Sequence, residues 1–229
     1  MTEAAPKRNF WTIRETVTGA QAEKRRFAAT LREAIAVCVT TTAPEPALRD
    51  AAEAVSAAVA RLAAYPRSIF REAHKQAREA ADLEEFADRS VLVGPGNPIA
   101  PPLRFHFENG ISIGEVTFTA PYEGAPGWVH GGIVSAAFDQ LFGHLQVNLD
   151  VPSFTARLTV DYRRPTPLST PLRFEGRLVR REGRKSFVAG RCLAGDLVTA
   201  EAEAVFVEVE KDRMREMFHS QSSSQPEEK

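Results

Sequence analysis

The chain has 229 residues, 43% of them hydrophobic, and a formal net charge of −1. That length and apolar content support one sizeable core, and the near-neutral balance supplies no field that would gather nucleic acid or an anionic membrane surface. Cys38 and Cys192 stand far apart in no metal or redox spacing, and no stretch approaches the ~20 apolar residues of a membrane span. Glu3 sits early and no apolar core of the signal-peptide kind follows it, so the expected location is cytoplasmic, with no stable membrane insertion.

Residues 1–90 read as a helical, alanine-rich extension. A first helix is expected over about residues 22–39, with Phe27, Leu31, Ile35 and Cys38 on one face. A second carries Leu48, Ala52, Val55, Val59 and Leu62 as an i, i+4, i+7 stripe, preceded by Pro44 and Pro46 and closed by Pro66. A third, more charged helix is expected over about residues 68–88. Basic and acidic residues balance through this block, which argues against a DNA-binding head. Packing on the main domain or on a second copy is the role expected of it. Residues 91–102, rich in proline and glycine, read as a linker.

Residues 103–210 read as the main domain. Leu103, Phe105 and Phe107 alternate with Arg104 and His106, Asn109-Gly110 is a two-residue hairpin turn, and residues 111–118 form the returning strand. Pro126 and Gly127 then break the backbone. An apolar run follows His130-Gly131-Gly132: Ile133, Val134, Ala136, Ala137, Phe138, Leu141, Phe142, Leu145 and Val147. Apolar side chains lie almost all the way round, which reads as a buried helix. Four strand-like runs come next, over about 155–162, 172–180, 186–193 and 197–209. Strand, strand, helix, then four strands is an α+β pattern: an antiparallel sheet wrapped around one long helix. The tail, 211–229, is polar and reads as disordered.

The start of the long helix is the chemical focus. Unpaired amides at a helix N-terminus suit an oxyanion, and glycine admits a ligand closely. One carboxylate, Asp139, interrupts the apolar run, and small residues Ser135, Ala136 and Gly143 lie near it at helical spacing. It suits water activation or direct attack, and spacing does not separate the two. His130 reads either as a base or as a residue whose ring orients the glycine turn. There is no Gly-x-Ser-x-Gly elbow and no metal-ligand spacing, so neither a serine hydrolase nor a metal site is expected. His130 and Asp139 lie about 13 Å apart along one helix at ~1.5 Å per residue. Gly131 and Asp139 of one chain therefore reach one small ligand poorly, whereas two chains related by a two-fold axis would supply one each, twice.

His130-Gly131-Gly132 followed by Asp139, then Thr155-Ala-Arg-Leu-Thr-Val-Asp-Tyr-Arg-Arg-Pro165, then Glu182-Gly-Arg-Lys185-Ser-Phe-Val resembles the hotdog-fold acyl-CoA thioesterases, Them-type and PaaI-like, over roughly residues 90–209. The resemblance implies a hotdog fold, hydrolysis of acyl-CoA in fatty acid metabolism, and a homodimer or dimer of dimers. It implies no cofactor, coenzyme A being part of the substrate. Residue by residue, it implies Asp139 as base or nucleophile, the Gly131 amide as oxyanion donor and Thr155 at the attacking water. It makes His130 and Gly132 positioning residues beside the substrate, and Asp161, Arg163, Arg184 and Lys185 contacts to coenzyme A. Asp161 stands where that family can have Asn, and Glu123 occupies the neighbourhood of an Asn seen in the PaaI-like branch. Two other readings are an acyl-CoA-binding module without turnover and a hotdog hydratase.

Overall fold

The computed structural model describes residues 16–67, 87–101 and 103–210, with Ile13 and Arg213. Two helices come first, α1 (Gly19–Thr40) and α2 (Glu45–Ala63). The main domain then runs β1 (Arg104–Glu108), β2 (Ile111–Thr117), a single 3₁₀ turn (Ala120–Tyr122), α3 (Gly131–Asn148), β3 (Ser153–Tyr162), β4 (Pro171–Glu182), β5 (Lys185–Ala194) and β6 (Leu197–Glu208). The third expected helix and the polar tail lie largely outside the described residues.

All neighbouring strands pair antiparallel, in the order β1-β2-β4-β5-β6-β3. Asn109 and Gly110 close the first hairpin with φ of 50° and 80°, as a two-residue turn of matching twist requires. The sheet curls around α3. Phe138, Leu141, Phe142 and Leu145 are fully buried against Phe118, Phe174 and the inner side chains of β5 and β6. Gly176 and Gly190 face each other across β4 and β5. A Cβ on Gly176 would stand 2.9 Å from Leu141, and one on Gly190 3.0 Å from Phe142, so this pair of glycines is what lets the helix settle close to the strands.

One expectation needs correcting. Although α3 is apolar almost all round, the sheet covers only one side of it. Asp139 and Gly132 are exposed, Ser135, Ala136, Gln140 and Gly143 are half-buried, and a Cβ on Gly143 would meet no atom within 4 Å. The small residues expected to make room inside a core instead line an open face. The stripe of α2 is likewise uncovered among the described residues, with Leu48, Val55, Val59 and Leu62 all about half exposed.

The segment read as a linker is packed. Asp88 is buried and held by Arg25 through two bonds (2.9 and 2.7 Å) and by Gln21 (3.1 Å). Arg32 donates to the carbonyls of Asn97 and Ala100. Bidentate guanidinium contacts of this kind fix orientation as well as position, so α1 is docked on the turn that leads into the sheet.

Candidate active site

The site assembles along the open face of α3 and the strand that follows it, which runs antiparallel to the helix. His130 is the N-cap. Its Nδ1 accepts the Gly132 N–H at 3.0 Å, and its backbone N–H donates to the Tyr122 carbonyl at 2.9 Å. With Nδ1 accepting, the neutral ring carries its proton on Nε2. His130 therefore shapes the glycine turn. The Gly131 N–H donates to no described group, so it remains available at the positive end of the helix.

Tyr162 closes this end from the strand side. Its hydroxyl donates to the Gly131 carbonyl at 2.8 Å, and the Ser135 hydroxyl lies 2.6 Å from the Tyr162 hydroxyl oxygen. The sequence reading did not single out Tyr162, although a signal was present. It shares parity with Leu158 and Val160, the helix-facing positions of β3.

Asp139 and Thr155 meet two turns further along. The Thr155 hydroxyl donates to Asp139 Oδ1 at 2.8 Å. Strict alternation from Leu158, Val160 and Tyr162 would point Thr155 away from the helix and Phe154 toward it. The pairing of β3 with β6 shifts by one residue between Thr155 and Arg157. That bulge reverses the parity: Thr155 reaches the helix and Phe154 is 44% exposed.

The four coenzyme A candidates do not form one cluster within the chain. Asp161 and Arg163 lie at the Tyr162 end, where Asp161 pairs with Glu201 of β6. Arg163 binds Glu201 at 2.7 Å and stands 3.6 Å from Asp161; the hydrogen bond and charge of Glu201, then Asp161, push its guanidinium pKa up. Lys185 pairs with Val207, beside the Phe206 partner of Thr155, so Arg184 and Lys185 belong to the Asp139 end. From Glu201 to Val207 is about 20 Å at ~3.3 Å per residue. Arg184 also donates from Nε and Nη2 to the Glu208 carbonyl (3.1 and 2.8 Å), which leaves Lys185, exposed, as the more available cation.

The candidate residues thus fall into two groups: Gly131, Tyr162, Asp161 and Arg163 toward the helix start, and Asp139, Thr155, Arg184 and Lys185 toward the carboxylate end. Gly131 and Asp139 are about 12 Å apart along the helix axis. Among the described residues no group of His, Cys, Asp and Glu is placed to hold a metal ion, and no helix is long and apolar enough to cross a membrane.

A six-stranded antiparallel sheet curled around one long helix is the hotdog fold. Residues 126–201 match the family model of the thioesterase superfamily. Acyl-coenzyme A thioesterase THEM4 of Xenopus laevis is 36% identical over 92 residues, 39% of this chain and 41% of that protein. THEM4 of Mus musculus is 32% identical over 93 residues, 40% of each. The match spans about two fifths of the length of these relatives. A thioesterase superfamily protein of known crystal structure superposes with a TM-score of 0.69 and 28% identity, over 86% of this chain and 93% of its own. The main domain has the hotdog fold, and residues 126–201 within it resemble the thioesterase superfamily. Since residues 103–210 make up under half of the chain, a superposition over 86% also takes in much of the N-terminal extension.

Proposed function

We propose that this protein is an acyl-CoA thioesterase that works as a two-fold dimer, with each site shared between two chains. The observation that carries the reading is the separation of the two groups along one helix. A two-fold axis beside the open face of α3 brings the Gly131 end of one chain to the Asp139 end of the other. The same operation unites Asp161 and Arg163 of one chain with Arg184 and Lys185 of its partner, on either side of one ligand.

In such a site the thioester carbonyl oxygen points at the Gly131 N–H. Asp139, oriented by Thr155, takes a proton from a water as its oxygen adds to the carbonyl carbon, or attacks that carbon itself, in which case a water afterwards cleaves the mixed anhydride left on Asp139 and frees the acid. The carbonyl oxygen becomes an oxyanion held by the amide, a contact worth about 3–4 kcal/mol in such sites. Collapse breaks the carbon–sulfur bond and releases the coenzyme A thiolate, which takes up a proton. Lys185, with the guanidinium groups of Arg163 and Arg184, lies where the phosphates of coenzyme A would be held.

Mixed dimers test the shared site. Gly131→Pro removes the donor amide, and proline is compatible with a first helical position after the extended His130. Tyr162, 3.3 Å from the position of the new Cβ, is exposed and can yield. Gly131→Pro and Asp139→Ala should each be inactive alone. Refolded together in equal amounts, about half the dimers are mixed and each has one intact site, so about a quarter of wild-type turnover should return. Verified mixed dimers without recovered activity would refute the shared site.

A further inference from the structure

Trp128 is 41% exposed among the described residues, yet its backbone is held on all sides. Its N–H donates to the Ala125 carbonyl and its carbonyl accepts from Gly124, both at 2.9 Å. It bridges to Pro167, flanked by Val129 N–H to the Thr166 carbonyl and Leu168 N–H to the Gly127 carbonyl. Gly124 folds so tightly back that a Cβ there would stand 2.8 Å from the His130 Cα. A large indole left in solvent on a fixed loop is a ready contact surface: the backbone is already ordered, and apolar area is waiting to be covered. Tyr162, 53% exposed, stands at the helix start against the Gly131 carbonyl.

From these observations we infer that Trp128 is the wall against which the pantetheine arm of the substrate lies. This rests on the thioesterase reading. The occupant follows from reach. Trp128 and Gly131 are three positions apart, so their Cα atoms are at most about 10 Å apart. An extended chain advances about 3.5 Å per three bonds, so Trp128 reaches up to about nine bonds from the thioester carbon. Nine bonds along the arm is its second amide, and the gem-dimethyl carbon lies two further on. That stretch matches an indole: methyl groups for its face and amides for its ring N–H. The nucleotide lies beyond this distance.

Thioesters of one acyl group on coenzyme A, on pantetheine and on N-acetylcysteamine, which ends just past the first amide, separate the possibilities. Trp128→Ala should lower kcat/KM about tenfold for the first two, equivalent to about 1.4 kcal/mol, and leave the third within about twofold. Equal losses on all three, or a loss confined to coenzyme A, would overturn the assignment. A direct readout stands apart from turnover and from the folding of that variant. In Trp11→Phe, Trp128 is the one remaining tryptophan of the two. Pantetheine should shift its emission to the blue and N-acetylcysteamine should not. Emission that ignores pantetheine but shifts on dilution into monomers would mean that a second copy covers the indole, and would sink the proposal. Absence of hydrolysis in the wild type, with the emission shift intact, would instead remove the thioesterase reading and leave an arm-binding surface.

Discussion

On one flank of α3 the Ser112 hydroxyl meets His144 Nδ1 at 2.6 Å, and on the other the Thr155 hydroxyl meets Asp139 Oδ1 at 2.8 Å. On paper the first pair looks the more reactive, a serine beside a base. The structure reverses that ranking. Ser112 is fully buried and His144 is 6% exposed, stacked on Phe105 at 5.2 Å. The Asn148 amide nitrogen lies 3.2 Å from His144 Nε2, so Nε2 accepts and Nδ1 carries the proton toward Ser112. The imidazole thus gives the serine a proton where a base would remove one. Asp139 and Thr155, a carboxylate and a hydroxyl, lie on an exposed face. Access and proton placement, more than residue type, decide which pair can do chemistry.

Exchanging the two pairs' fates is the strongest way to break that contrast. Asp139→Ala should cost thioester hydrolysis at least ~100-fold, the low end for a general base, with little change in Tm because the side chain is exposed. Ser112→Ala should do the opposite. It leaves the His144 Nδ1–H buried without an acceptor, at about 1–3 kcal/mol of stability, and turnover per folded molecule should stay at the wild-type level. Steady-state kinetics beside thermal melts decide both. A catalytic loss in Ser112→Ala that exceeds its loss of folded protein would place chemistry in the sealed pair.

The sealed pair also has a pH signature. Burial, and then the charge of His106, pushes His144 from 6.5 down to about 4. Between those values the unfolded chain binds the proton and the folded chain does not. Stability is therefore fully present above about pH 6.5, falls as pH drops, and levels off below about pH 4. The total is about 3 kcal/mol, at 1.36 kcal/mol per unit. His144→Gln should lose this component, so the gap between variant and wild-type denaturant midpoints should shrink steadily from pH 7 to pH 5. A constant gap would mean that His144 does not titrate this way.

The smallest expected effect concerns the carboxylate end. Arg184→Ala with Lys185→Ala should raise KM for acyl-CoA several-fold, with Lys185 the larger contributor because Arg184 is occupied by the Glu208 carbonyl. KM for a thioester lacking the nucleotide should hardly move. Equal rises would show that these residues do not meet the phosphates.

The main domain was legible in the sequence because its signals are local. Alternation marked the strands, Asn109-Gly110 and the glycine turns marked the hairpins, and Gly131 and Asp139 stood out against an apolar run. Three features were not legible, each for a physical reason. Whether an apolar helix is covered on one side or on all sides depends on the curl of the sheet, which no periodicity encodes. Ser112 and His144 lie 32 residues apart and meet only through packing. The basic residues that the resemblance brings together are sent by strand register to opposite ends of β6.

The irregular pairing between Thr155 and Arg157 has a consequence for how this strand can change. A β-strand has a phase, inward or outward, and the bulge is a slip in that phase. Everything before it, Phe154 and Thr155 included, is written in the opposite frame from Leu158, Val160 and Tyr162. Point substitutions leave the frame alone. Removing Ala156 would take out the extra residue and restore strict alternation with Thr155 still toward the helix and Phe154 still to solvent, so Asp139 would keep its hydroxyl partner in a regular strand. An alignment drawn without a one-residue gap at this point would match the wrong side chain of a regular strand to Thr155.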